Sequence, residues 1–107
     1  MELEQYSIIL VNLNPTIGSE IKKTRPCVII SPNEINKFLR TIIVAPMTTN
    51  LKPYPTRVPV MHNEKKGMIA IDQIRSIDKA RIVRIFKPLK ASEIQRCKEI
   101  IKETFMD

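Results

Sequence analysis

Short apolar runs, each closed by proline or a polar turn, follow one another along most of this chain, and a helical period appears only at its end. Residues 7–13 read Ser-Ile-Ile-Leu-Val-Asn-Leu, a strand pattern rich in β-branched side chains, and Asn14-Pro15 ends it. Residues 25–31 predict a second strand, in which Pro26 lacks a backbone donor and so favours a strand start or an edge. Ser31-Pro32-Asn33 punctuates the chain, and residues 34–39 have room for one or two helical turns. A third strand covers 41–45, with Pro46 expected to stop it, and 48–55 reads as a loop carrying Pro53 and Pro55. Residues 56–61 alternate and predict a strand whose Pro59 argues for an edge or a bulge. After a polar turn at 62–67 come two more strands, 67–71 and 81–86.

The end is different. Ser92-Glu93-Ile94-Gln95 fits a capping box, with Ser92 as N-cap and Gln95 three residues on. Ile94, Cys97, Ile101 and Phe105 then recur at helical spacing, with Ile100 beside them, while Arg96, Lys98, Glu99, Lys102 and Glu103 occupy the other face. Such a stripe packs on a core. Short strands at close spacing, broken by proline, predict a small barrel or curled sheet with this helix over one side, a mainly β fold with some α. At 107 residues, with no repeat or linker, residues 1–107 are expected to form one domain.

Composition narrows the class. Hydrophobic residues make up 43% of the chain, a globular value. No run approaches the roughly 18 apolar residues of a membrane span. The acidic start, Met1-Glu2-Leu3-Glu4-Gln5, has no apolar segment behind it, so no signal peptide is expected. Cys27 and Cys97 fall on apolar positions and read as reduced, buried thiols of a cytoplasmic protein. The net charge of +7 is spread along the chain and suits a polyanion, although it suits an acidic protein partner as well. With five aromatic residues, two Tyr and three Phe, no aromatic stacking platform is evident.

Several chemistries lack their residues. The single histidine, His62, sits in a charged turn with no partner for Ser/His/Asp catalysis. Two glycines cannot build a phosphate-cradling loop, and the acidic residues show no metal-ligand spacing. An enzyme built from this chain is therefore expected to work without metal or cofactor, on a substrate that carries its own nucleophile. RNA is such a substrate, through its 2′-hydroxyl. Arg25 stands at the mouth of an apolar strand, and a guanidinium can give two parallel hydrogen bonds to phosphate oxygens. Thr48 and Thr49 put hydroxyls at the end of another apolar run. An arginine and a hydroxyl donor can together stabilise a charged pentavalent phosphorane. Structural readings stand beside these: Arg25 paired with Glu20, turn hydroxyls at Thr48 and Thr49, and Asp72 and Gln73 as braces for the adjacent loop.

Four segments, Pro15-x-x-Gly18-x-Glu20, Arg25-Pro26, Pro46-Met47-Thr48 and Asp72-Gln73-Ile74-Arg75-Ser76-Ile77-Asp78, resemble in order and spacing the MazF/PemK family of toxin endoribonucleases. The resemblance runs from about Ile9 to Phe86. It implies an SH3-like small β-barrel of the CcdB/PemK type with a C-terminal helix, assembled as a homodimer. It implies metal-free cleavage of single-stranded RNA to 2′,3′-cyclic phosphate and 5′-hydroxyl ends, a cognate antitoxin protein, and operator DNA bound as the toxin–antitoxin complex. The family's catalytic arginine falls on Arg25 and its catalytic hydroxyl on Thr48. Gly18, Ser19, Glu20, Thr49, Asp72, Gln73 and Arg75 are the substrate-binding candidates that go with them. Two positions depart from the family pattern: Tyr6-Ser7 stands where many members have Gly-Asp, and Ala70 where some have arginine. The other functions compatible with the sequence are a non-catalytic toxin of this fold that inhibits a protein such as gyrase, and a basic nucleic-acid-binding module.

Overall fold

The computed structural model describes residues 2–13 and 23–106. Its strands are β1 (Ser7–Asn12), β2 (Thr24–Ile29), β3 (Thr41–Thr48), β4 (Arg57–His62), β5 (Lys65–Ala70), β6 (Arg75–Asp78) and β7 (Ile82–Pro88). A short helix, α1 (Asn33–Phe38), precedes β3, and a long one, α2 (Ala91–Phe105), closes the chain. The strands form a curled antiparallel sheet in the order β4-β5-β3-β2-β1-β7, with β6 also paired to β3.

The central strands bury both faces, which is why they read as continuous apolar runs. On one face Ile8, Val28, Ala45 and Met47 pack with Val58, Val60, Ile69 and Ile71 of the β4–β5 region, and α2 covers them with Cys97 and Ile100. On the other, Ile9, Val11, Cys27, Ile29, Ile42 and Val44 pack around Leu3 and Ile77. Adjacent residues thus feed opposite cores, and a one-residue register slip would exchange them. The two cysteines are free and buried, one in each core. Burial pushes the Cys27 thiol up to about 11, against the lowering influence of Arg25 and Arg75, and pushes Cys97 up to about 12.

Several boundaries differ from the sequence expectations. Pro46 does not end β3. Residues 41–44 pair with β6 and residues 47–48 with β5, so Pro46 falls between two ladders, where no partner asks for its missing N–H. Pro59 lies on β4, which is an edge strand as its proline requires. The turn expected over 62–67 shrinks to Asn63 and Glu64, both at positive φ (51° and 62°), which lets the strands run to its very ends. The segment 75–78 forms a strand that its polar sequence hides. Helix α2 begins two residues earlier than the Ser92 cap predicts: Lys90 is the N-cap, and the Glu93 carboxylate accepts a hydrogen bond from its backbone N–H at 2.9 Å. The second Glu93 oxygen accepts from the Met61 N–H at 3.1 Å and fastens β4 to the helix start.

Candidate active site

The sheet face under α2 continues past the core into an open floor. Arg84 of β7 pairs with Leu10 of β1, and Leu10 pairs with Pro26 of β2. Met47 of β3 completes the row, and the tip of the β4–β5 hairpin rises over it as a wall. The result is a cavity of about 340 Å³ lined by Leu10, Pro26, Met47, Thr48, His62 and Lys66, among others. Gly67 permits the close approach of that wall. A Cβ there would stand 3.2 Å from the Thr48 carbonyl oxygen, a backbone atom that cannot swing away.

Thr48 ends β3 at the rim of this cavity, half-buried, and Thr49 follows it, exposed. The Thr48 Oγ1 accepts from the Asn50 N–H at 3.1 Å, and Asn50 Oδ1 accepts from the Lys52 N–H at 3.1 Å. These local bonds order the loop after β3, as the turn reading of Thr48 expects. They use a lone pair of the threonine and leave its hydroxyl proton to donate. Lys65 and Lys66, both exposed, add positive charge along the wall.

Arg25 is exposed and adjacent in the chain to Pro26, which floors the cavity. By strand alternation it projects from the opposite face, the Cys27 face, where Arg75 also makes itself felt. The β2–β3 register, with Cys27 opposite Pro46, carried two residues further sets Arg25 opposite Thr48 at the neighbouring ends of β2 and β3, with Arg75 on the Arg25 side.

Asp72 and Gln73 lie elsewhere. They sit in a 3₁₀ turn (Ile71–Gln73) beyond the end of β5 that lies farther from the hairpin tip. The Asp72 carboxylate accepts from Arg57 Nε at 2.9 Å and Nη2 at 3.4 Å, and from the Thr56 hydroxyl at 2.8 Å. The hydrogen bonds from Arg57 hold its pKa below the usual carboxylate range. The Arg57 guanidinium lies over the Tyr54 ring at 5.2 Å. This cluster braces the 53–57 loop. Gly18, Ser19 and Glu20 lie outside the described residues.

His62, Lys65, Lys66 and Phe86 line the cavity without having stood out in the sequence as site residues. The signal lies in strand register: a two-residue turn at 63–64 brings His62 opposite Lys65 and sets both beside the end of β3. The His62 ring meets the Phe86 ring edge-to-face, 4.8 Å between centroids. Among the described residues, no cluster of three His, Cys, Asp or Glu side chains is placed to hold a metal ion. No described helix is long and apolar enough to cross a membrane.

A sequence model described as PemK-like, MazF-like toxin of type II toxin-antitoxin system matches residues 4–105. The chain belongs to this toxin family. It is 37% identical over 70 residues to the endoribonuclease toxin MazF of Escherichia coli K12, a match spanning 65% of this chain and 63% of that protein's length. The fold superposes on the Mycobacterium tuberculosis toxin MazF-mt6 with a TM-score of 0.77, at 24% identity, covering 92% of this chain and 95% of the other. It also matches a mycobacterial endoribonuclease solved in complex with its cognate antitoxin, with a TM-score of 0.79 at 16% identity over 94% and 92% of the two chains. These likenesses establish the curled half-barrel with its C-terminal helix as the architecture of MazF toxins.

Proposed function

We propose that residues 1–107 form the endoribonuclease of a type II toxin–antitoxin pair, cutting single-stranded RNA without a metal. The carrying observation is the Thr48 hydroxyl, held by Asn50 with its proton still to donate, on the rim of a cation-walled cavity one residue from Arg25. Membership of the toxin family and the endoribonuclease name of the 37% identical relative support the same reading.

The 2′-oxygen of the substrate attacks the adjacent phosphorus and gives up its proton. The bond from phosphorus to the 5′-oxygen breaks, and that oxygen takes a proton on leaving. The products are a 2′,3′-cyclic phosphate and a 5′-hydroxyl. Arg25 contacts the scissile phosphate and assists the proton transfers. Thr48 donates to the charged intermediate, where a fixed dipole costs no reorganisation. Arg75 adds charge beside Arg25, while Gly18, Ser19, Glu20, Thr49 and Gln73 shape the surrounding surface; Asp72 acts through the loop it braces. The toxin works as a cytoplasmic homodimer, is neutralised by a cognate antitoxin, and meets operator DNA only within that complex.

The test is direct. Purified protein is incubated with end-labelled single-stranded RNA in excess chelator. Fragments with cyclic-phosphate and 5′-hydroxyl ends are expected. Intact RNA, 5′-phosphate ends, or cleavage that returns only when magnesium is added would each reject the mechanism.

A further inference from the structure

A second hollow opens on the far side of the hairpin tip, about 700 Å³ in volume. It shares His62, Asn63 and Phe86 with the Thr48 cavity, so the two hollows lie side by side across the sheet. Its outer rim is basic, with Arg84, Lys87 and Lys90 all exposed. The Arg84 guanidinium lies over the Phe86 ring at 4.9 Å, and His62 meets the same ring from the side. Phe86 is itself wedged against the core beneath α2. Phe86 is thus the centre of the cluster: the core holds it from below, His62 braces it from the side, and the Arg84 guanidinium lies over its face.

That arrangement has a defined chemistry. An arginine that only neutralises phosphate has no use for a fixed plane, because a flexible cation does that work equally well. A guanidinium resting over an aromatic ring is steadied there and offers its outer side. Unpaired nucleobases stack on such planes, and stacking tolerates any base because each has a π-face. Arg84 stands three strands from β3, roughly 14 Å away at the usual strand spacing. This is too far for the nucleotide cut at Thr48 and suits a neighbour along the strand.

We propose that Arg84, resting over the Phe86 ring that His62 braces from the side, is a stacking platform for a nucleobase flanking the scissile phosphate of a single-stranded RNA. The assignment rests on the endoribonuclease reading and names a subsite beside the Thr48 cavity. It separates the work of the two hollows: one holds the phosphate that reacts, the other grips the strand beside it.

The experiment compares wild-type protein with Arg84→Gln, Arg84→Lys and Phe86→Leu on an RNA whose cut site has been mapped. Copies of the substrate carry an abasic nucleotide one or two places to either side. Both Arg84 variants are expected to raise KM about tenfold, the scale of losing one stacked base, with kcat within twofold. One flanking abasic position should cost the wild type a similar factor and cost Arg84→Lys nothing. Arg84 is exposed, so its variants are expected to keep the wild-type melting temperature; Phe86→Leu serves as a second view of the same stack. A wild-type KM in Arg84→Lys would mean that charge alone suffices and would overturn the platform. An abasic penalty of equal size in wild type and variant would do the same. Should the variants process RNA normally yet escape an antitoxin fragment, the hollow belongs to the antitoxin and the proposal fails. Binding of a labelled 2′-O-methyl oligonucleotide, which has no 2′-hydroxyl to attack, is measured alongside. If the wild type binds that strand more tightly than Arg84→Lys but leaves unmodified RNA uncut, the platform stands and the nuclease reading falls.

Discussion

Two polar clusters lie at opposite ends of β5, and they are built on opposite rules. At one end Asp72, Arg57, Thr56 and Tyr54 satisfy one another: a two-pronged ion pair, a hydroxyl bond and a guanidinium over a ring. At the other, Thr48, Lys65 and Lys66 surround a hollow, and the Thr48 hydroxyl accepts from Asn50 with its own proton left to donate. The first cluster has spent its polarity on the protein. The second leaves its cations and its hydroxyl open to the hollow. Both belong to segments that resemble one family, so membership of a motif does not separate a side chain left open to a cavity from one that braces a loop. The partners of each side chain do.

The largest test of this contrast is Arg25→Ala, expected to lower cleavage by at least about 100-fold, on the scale of a lost oxyanion donor, with an unchanged melting temperature because Arg25 is exposed. Thr48→Val should follow in the same direction, with less effect on RNA affinity. A variant that loses activity only in proportion to its loss of fold would erase the distinction between the two ends.

Next comes Gly67→Ala, which inserts a Cβ 3.2 Å from the Thr48 carbonyl. The strand end must yield by a few tenths of an ångström, and cleavage should fall by roughly tenfold, since small displacements of a positioned group are costly. Single-turnover rates at saturating RNA read this; an unchanged rate would mean that the position of Thr48 is not critical.

At the braced end, Asp72→Asn should destabilise the fold by about 1 kcal/mol, a charged hydrogen bond discounted for its exposure, while cleavage by the folded protein changes less than twofold. Urea midpoints and initial rates measure the two. Because Asp72 is acidified by folding, its contribution is fully present above the ordinary aspartate value of about 3.9 and disappears as pH falls through its lower folded value. Wild type and Asp72→Asn should therefore converge in stability in strong acid. A gap that stays constant down to the lowest pH would show that the charge is not what the brace uses.

The smallest effect sharpens the wall of the cavity. Glu64 holds a positive φ of 62° in the hairpin turn, and Glu64→Gly should stabilise the protein by about 0.5–1 kcal/mol through relief of that strain. A lower melting temperature would show that the Glu64 side chain contributes more than its backbone costs.

The sequence displays the parts whose environment is uniform. Residues 7–13 and 25–31 are apolar because β1 and β2 are buried on both faces, and the stripe from Ile94 to Phe105 marks the face of α2 that meets the sheet. It hides the parts decided by distant partners. The strand at Arg75–Asp78 is short and largely exposed, and exists because β3 offers it a ladder. The helix start passes from Ser92 to Lys90 because Glu93 serves both the helix N-terminus and the Met61 N–H. Thr48 and Arg25 stand out as candidates because they follow or open apolar runs, whereas His62 and Phe86 join the cavity only through hairpin register. Tyr6 shows the same blindness: its φ of 68° is a backbone state glycine adopts freely, at the position where many family members have glycine.

Pro46 has a further effect. Antiparallel strands slide most easily by two residues, because such a slide keeps every side chain on its own face. The Ile30 N–H donates to the Ile43 carbonyl, so alternate residues of β3 turn their backbone toward β2 and the others, Pro46 among them, toward β5 and β6. A slide of two in either direction would put Pro46 where Val44 or Thr48 now stands, in a ladder that requires an N–H. The one residue that cannot supply it sits at the one place that does not ask. Like a key cut for a single notch, it locks Thr48 at a fixed height along the sheet, two residues from the tooth.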